Sequence, residues 1–454
     1  MNVLVVGLGV SGIACIKGLS ETGAKIYAYD DSPREKLKDR LKKLEDLEAE
    51  YFFGAEEIDN IKIEDLDYAI KSPGIKYEAP IIEKLLENNI EVISDLEAAY
   101  RITEARFVSV TGTNGKTTTT SLIGQIVKES KKPCKVTGNI GFGIYYDALK
   151  AKEEDILIAE VSSFQLVGTS KYKPHISVIT NITPDHLDYH HTVENYIEAK
   201  FKNVINQDEN DYAVLNYEDA AIRNYSDKIR AKKIFFSSER VLEDGIFAEN
   251  GRMFYKNGSN KEFIINTKEI FIPGKHNLEN AMAASGAALA LGIDLETIAG
   301  VLREFKGVEH RLEFAGEYNK VKFYNDSKGT NPDASIKAIQ GINKPIILIS
   351  GGYDKKSSYD DFIKAFDDKV KALILLGKTA EDIKNCALKY GFNNIYMVKT
   401  MDEAVKKSFE LAEEGDNVVL SPACASWDMY PNYEVRGRDF KERVNYYGRN
   451  GKKI

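Results

Sequence analysis

One stretch constrains this chain more than any other: Phe107-Val108-Ser109-Val110-Thr111-Gly112-Thr113-Asn114-Gly115-Lys116-Thr117-Thr118-Thr119-Thr120. An apolar strand breaks into a glycine-bearing loop, and a helix is expected from about Thr117 to Glu129. The two glycines let the backbone turn its N–H groups towards an anion. The helix start adds the positive end of its dipole. Lys116 sets a cation beside the outer phosphates, and the Thr117 hydroxyl suits Mg²⁺. This is a shortened phosphate-binding loop, with Val110 where the longer pattern has glycine. The other reading is a strand, turn and helix with chance glycines and a surface lysine. The required order of strand, loop, Lys-Thr and helix favours phosphate binding.

At 454 residues the chain is too long for one ordinary core, so several domains are expected. A net charge of −8 argues against a general nucleic-acid binder. The four cysteines are scattered and suit a reducing compartment. No apolar run approaches the ~20 residues of a membrane span. The N-terminus starts on a strand without a leader pattern. A cytoplasmic address is expected, with no nucleic-acid or membrane partner.

The first segment reads as a small α/β domain. Strand Val3–Val6 runs into Gly7-Leu8-Gly9-Val10-Ser11-Gly12, a full Gly-x-Gly-x-x-Gly, and then a helix. A second strand ends at Asp30-Asp31, an acid at the place that meets a ribose in dinucleotide folds. Alone the motif suits NAD or another diphosphate, or merely tight strand–helix packing. Ser72-Pro73-Gly74 forms a rigid turn at a third strand end, and Glu91–Ser94 is the last strand expected. The boundary is placed at Leu96.

The second segment opens with the phosphate loop. Strand Ile156–Ala159 delivers Glu160 at its C-terminal end, a candidate Mg²⁺ ligand or else a helix N-cap or a surface acid. Strand Ile176–Asn181 leads to Pro184-Asp185-His186. His190 and His191 follow, but zinc is disfavoured because no cysteine is near and the spacing fits no familiar set. From spacing alone Lys200 is an exposed helix lysine. Strands at Tyr212–Leu215 and Lys233–Phe236 complete the sheet, and residues 250–260 form a small β excursion. Asn277 is expected to cap a helix running to Leu291, or to face a nucleotide base together with Asn280.

The third segment starts after Gly307. Strands at Lys322–Tyr324, Ile346–Ile349, Ala372–Leu376 and Asn417–Leu420 each end in a polar loop, the pattern of a second doubly wound domain. With lysines and serines at these strand ends, a pocket for a small dianionic substrate is expected.

The series Thr111–Thr118, Asn181–Asp188, His276–Asn280 and His310-Arg311, in that order, resembles the Mur ligase family, ATP-dependent amide-forming enzymes of bacterial cell-wall synthesis. The resemblance covers the whole chain. Asp326–Asn331 and Ser421–Ser426 look like the family's D-glutamate-adding branch. It implies three α/β domains: a Rossmann-like domain at 1–96 for the UDP moiety, a P-loop ATPase-like parallel-sheet domain at 97–306 for ATP, and a Rossmann-like domain at 307–454 for the amino acid.

The chemistry it implies is phosphorylation of the carboxylate of UDP-N-acetylmuramoyl-L-alanine, followed by attack of the D-glutamate amine. Gly112, Thr113, Asn114, Gly115, Lys116, Thr117 and Thr118 would hold the ATP phosphates, with Asn277, Asn280, Arg311 and Asp326 on the rest of the nucleotide. Thr117 and Glu160 would hold one Mg²⁺. His186 and a carbamylated Lys200 would hold a second, so Lys116, His186 and Lys200 form the implied catalytic set. Val10, Ser11, Asp30, Ser72, Pro73, Gly74, Asn139, Ser162 and Gln165 would meet the UDP substrate. Lys328, Thr330, Lys355, Ser426 and Tyr433 would meet D-glutamate. A monomer that closes its domains on substrate is expected. The competing readings are a related ligase for another amino acid (folyl-polyglutamate-type included), an NAD-dependent dehydrogenase, and a nucleotide switch without turnover.

Overall fold

The computed structural model describes residues 1–141, 143–353 and 357–450. They form two compact units, one of residues 1–270 and 277–304, the other of 271–276 and 305 onward. The first unit contains two sheets and the second unit one.

The N-terminal sheet comprises β1 (Asn2–Val6), β2 (Lys25–Asp30), β3 (Glu50–Phe53), β4 (Tyr68–Lys71) and β5 (Glu91–Ser94). All pairings are parallel, in the order β3-β2-β1-β4-β5. Such strands must be apolar on both faces, and Val3, Leu4 and Val5 have no exposure at all. Helix Val10–Ser20 supplies Ile13, Ile16 and Leu19 to one side, and helix Pro80–Glu87 supplies Ile81, Ile82 and Leu85 to the other. Strand order reverses between β1 and β4, the switch point where such sheets bind ligands. The turns beginning at Gly7 and Ser72 stand side by side there, with Ser72 Oγ donating to Gly7 O at 2.8 Å. The edge strand β3 was not anticipated, because its four residues follow a long charged stretch with no alternation to mark it.

The second sheet comprises β6 (Arg106–Thr111), β7 (Cys134–Gly138), β8 (Ile156–Glu160), β9 (Ile176–Ile179), β10 (Tyr212–Asn216), β11 (Lys232–Ser237), β12 (Gly245–Glu249), β13 (Arg252–Asn257) and β14 (Asn260–Asn266). Their order is β14-β13-β12-β11-β10-β9-β6-β8-β7. The expected small β excursion is a three-stranded extension of this sheet, antiparallel only at β12–β13–β14. The strand expected to reach Asn181 stops at Ile179, because Thr180 and Asn181 turn to bond the phosphate loop: Thr180 Oγ1 donates to Asn114 O at 2.6 Å.

The third sheet, in the second unit, comprises β15 (Glu313–Tyr318), β16 (Val321–Asn325), β17 (Ile346–Ser350), β18 (Val370–Leu375), β19 (Ile395–Met397) and β20 (Asn417–Leu420), ordered β15-β16-β20-β17-β18-β19. It is parallel except for the β15–β16 hairpin. The final helix, Tyr433–Asn450, buries Phe440 and Val444 with Val418 and Leu420 of β20. No helix among the described residues is long and apolar enough to cross a membrane.

Candidate active site

β6 is buried along its apolar length and ends at Thr111, so the phosphate loop starts from a rigid strand. Gly112 and Gly115 have φ of +146° and +83°. A Cβ at Gly112 would lie 2.0 Å from Thr180 Oγ1, and one at Gly115 would lie 2.2 Å from Asn280 Oδ1. Both positions therefore need glycine for conformation and for space. Helix Lys116–Glu129 begins at once, and Thr117 and Thr118 are buried in its first turn. Thr113 Oγ1 donates to Thr183 O at 2.9 Å, and Asn114 N donates to Asn181 Oδ1 at 2.9 Å. The loop is thus held by the segment that carries His186. Lys116 Nζ donates to Gly112 O at 3.0 Å and Thr113 O at 2.9 Å.

Lys200 corrects the expectation of a surface lysine. It is 1% exposed. Its Nζ donates to Gly112 O at 2.8 Å and lies 4.6 Å from the Tyr196 ring centroid. Burial, and then the charge of Lys116, hold its ammonium far below the usual lysine range. Position on a helix gave no sign of this; the side chain turns inward across the loop.

Glu160 stands at the end of β8, 3% exposed. Oε1 accepts from Asn139 Nδ2 at 3.0 Å, while Oε2 is buried with no hydrogen-bond partner. A buried carboxylate oxygen left unpaired is costly unless a cation meets it. Asn139 follows β7, whose register beside β8 fixes this contact. His186 is half exposed, at φ +52°, with its ring 4.8 Å from that of Phe164. His190 is buried against Ser163 Oγ at 2.9 Å, and burial with the Lys200 charge pushes it down to about 4. His191 faces Glu78 Oε1 at 3.0 Å. These two histidines thus face different partners.

Asn277 is not a helix cap. The helix runs Lys275–Ala290, starting two residues before the expected cap, so Asn277 lies inside its first turn. Asn277 and Asn280 are buried together, with Asn280 Nδ2 donating to Asn277 Oδ1 at 3.1 Å. Thr119 Oγ1 donates to Asn280 Oδ1 at 3.3 Å. The pair therefore buttresses the helix that follows the phosphate loop.

Two of the residues assigned to the UDP substrate, Ser11 and Gln165, meet at Asp95, which sequence reading did not single out. Ser11 Oγ donates to Asp95 Oδ2 at 2.7 Å, and Gln165 Nε2 approaches both carboxylate oxygens at 3.2 Å. Burial raises this carboxyl above its usual range. Ser162 and Gln165 form a capping box on helix Ser163–Val167. Asp30 braces the glycine turn, accepting from Leu8 N at 2.8 Å and Ser32 N at 3.0 Å. Val10 is 67% exposed at the start of the helix that follows the turn. Before Ser72-Pro73-Gly74 lies Lys71, fully buried, donating to Ile75 O at 2.6 Å and Tyr189 OH at 3.2 Å. Burial pushes it down to about 8. The one local signal for it in the sequence is a lysine closing an apolar strand.

In the second unit the loops after β16 and β20 come together. Asp326 is buried, accepting from Ser421 Oγ at 2.7 Å and Leu312 N at 3.2 Å. Burial pushes it up to about 7 against the opposing pull of Ser421 and Arg311. Lys328 Nζ lies 5.8 Å from the Tyr433 ring centroid, and Ser426 is buried. Thr330 is half-buried in the same loop as Lys328. Lys355 lies outside the described residues.

Three family models match this chain: the MurD-like N-terminal domain of Mur ligases over residues 1–94, the Mur ligase middle domain over 110–288, and the Mur ligase glutamate ligase domain over 310–424. A curated relative from Thermoanaerobacter sp. (strain X514), named UDP-N-acetylmuramoylalanine–D-glutamate ligase, is 49% identical over 98% of both chains. The chain belongs to the Mur ligase family. A relative of the same name from Clostridioides difficile (strain 630) is 46% identical over 98% of both chains. The crystal structure of a UDP-N-acetylmuramate-alanine ligase from Thermotoga maritima superposes with a TM-score of 0.60 at 21% identity, covering 98% of this chain and 99% of the other. That likeness concerns the fold of this Mur ligase. The family is ATP-dependent and acts on small molecules.

Proposed function

We propose that this Mur ligase joins D-glutamate to UDP-N-acetylmuramoyl-L-alanine, driven by ATP, in peptidoglycan synthesis. One observation carries the reading: relatives 49% and 46% identical, each aligned over 98% of the chain, are named for that activity. The work divides by domain, with residues 1–96 holding the UDP moiety, 97–306 the ATP and 307–454 the amino acid. The free cysteines suit a reducing cytoplasm, and we assign a monomer acting there.

A carboxylate is a poor electrophile, so it is first made an acyl phosphate. The substrate carboxylate attacks the γ-phosphorus of ATP and ADP leaves. The D-glutamate amine then adds to the acyl carbon, and phosphate leaves as the amide forms. Lys116 and the amides of residues 112–118 offset the charge of two anions brought together. Asn277 and Asn280 hold the loop helix in place for this.

The unpaired, buried Oε2 of Glu160 fits a cation. Thr117 and Glu160 would hold one Mg²⁺, and His186 with carbamylated Lys200 a second. Such ions supply charge neutralisation on the transferring phosphoryl group. Lys200 is suited to carbamylation because only a neutral amine attacks CO₂, and its burial favours the neutral form. Lys328, Thr330, Lys355, Ser426 and Tyr433 bind D-glutamate.

The test is phosphate release with ATP, UDP-N-acetylmuramoyl-L-alanine and each candidate amino acid. Release is expected with D-glutamate. Release with a different amino acid only, or none with any, overturns the assignment.

A further inference from the structure

The C-terminal unit contains a buried cation to which nothing above gives a role. Among its described residues Arg436 is the only buried lysine or arginine, at 3% exposure. It lies one turn beyond Tyr433 on the final helix. Its Nε donates to Ser327 Oγ at 3.0 Å, and its Nη2 to Ser327 O at 2.8 Å and Cys424 O at 3.1 Å. Its Nη1 donates to Ala425 O at 3.2 Å. Ser327 Oγ in turn donates to Tyr433 O at 2.8 Å. A Cβ at Gly352 would lie 3.2 Å from Nη1, so the loop after β17 also packs on the guanidinium.

Two of its three partner residues adjoin residues assigned to D-glutamate, and the third, Cys424, lies two positions before Ser426. Ser327 precedes Lys328, Ala425 precedes Ser426, and Tyr433 begins the helix that carries the arginine. One planar fork thus fixes two loops and a helix start at once. Lysine, with a single donor centre, cannot make this set of bonds. Every acceptor is a neutral oxygen, and among the described residues no carboxylate comes within ion-pairing distance. Asp428 and Asp326 act on it only from farther away. An apolar side chain of similar volume would fill the space without the penalty of burying a charge. The arrangement is therefore explained by what it holds: two loops and a helix start fixed by one guanidinium.

We propose that Arg436 is a positioning residue for the dicarboxylate amino acid, holding Lys328, Ser426 and Tyr433 in one register. This rests on the D-glutamate reading of the same loops.

The experiment compares wild type, Arg436→Lys and Arg436→Met in the phosphate-release assay, with KM measured separately for each substrate. Trp427, the chain's one tryptophan, adjoins Ser426 and gives an independent fluorescence titration with D-glutamate. The KM for D-glutamate is expected to rise about tenfold in Arg436→Lys and on the order of 100-fold in Arg436→Met, since small misplacements of binding groups cost this much. KM for ATP and for the UDP substrate should stay within about twofold, as uniform loss of one substrate's binding requires. An unchanged KM for D-glutamate in Arg436→Lys, or equal rises for all three substrates, overturns the proposal. Should Arg436→Met fail to fold, Arg436→Lys alone decides. If wild type uses another amino acid, the D-glutamate reading fails, and the same comparison is made on that amino acid's KM.

Discussion

Lys116 and Lys200 share one acceptor: both ammonium groups donate to the carbonyl oxygen of Gly112, at 3.0 and 2.8 Å. Two cations on one oxygen oppose each other's charging. Burial first, and then the charge of Lys116, drive Lys200 towards the neutral amine.

That amine is set to take up CO₂. Wild type given ¹³C-bicarbonate should show a carbamate carbon resonance that is missing from Lys200→Ala, and Lys200→Ala should lose about 1,000-fold in phosphate release if its carbamate holds a metal. A wild-type spectrum without that resonance would contradict the carbamylation assignment.

Lys116→Ala removes the cation from the phosphate loop. We expect phosphate release to fall by about 10²–10³, the usual loss for one electrostatic stabiliser, with the melting temperature within a few degrees of wild type. Full activity in this variant would remove the loop from the reaction.

Gly115→Ala forces a side chain into φ +83° and towards Asn280 Oδ1. A destabilisation of about 1–3 kcal/mol is expected in denaturant melts. The double change Gly115→Ala with Asn280→Ala relieves the contact but not the backbone, so only part of the loss should return.

Lys71 gives stability a dependence on pH. Its folded value of about 8 lies below the ordinary 10.5, so between those values the unfolded chain binds more protons. Stability from this group therefore rises with pH across that window, and its cost is constant below pH 8. Wild type should gain up to about 3 kcal/mol relative to Lys71→Met between pH 7.5 and 10.5. A flat difference would mean that Lys71 is not held in this environment.

Asp326 runs the opposite way. Its folded value of about 7 lies above the ordinary 3.8, so the native state binds more protons between them. Wild type should lose stability relative to Asp326→Asn as pH rises from 4 to 7, read by denaturant midpoints. A difference that grows in wild type's favour would refute the raised value.

The legible parts of this chain were local. The glycine turn at Gly7, the phosphate loop and the strand-end acid Glu160 are each written within a few neighbouring residues, and the parallel sheets follow from apolar runs alternating with helices. Short or edge strands such as β3 and β19 carry too few residues to leave a pattern.

What sequence alone determined was the chemistry on offer and its order: strands that must be buried on both faces, and loops at their ends rich in glycine, lysine and carboxylate. What tertiary structure decided was which polar groups lose water. Lys200 reaches Gly112 across 88 positions of chain, Asp95 meets Gln165 across 70, and Arg436 meets Ser327 across 109. Burial and charge at these sites arise from segments remote in the chain, so no local pattern encodes them, and only the packed fold sets which of these side chains are charged.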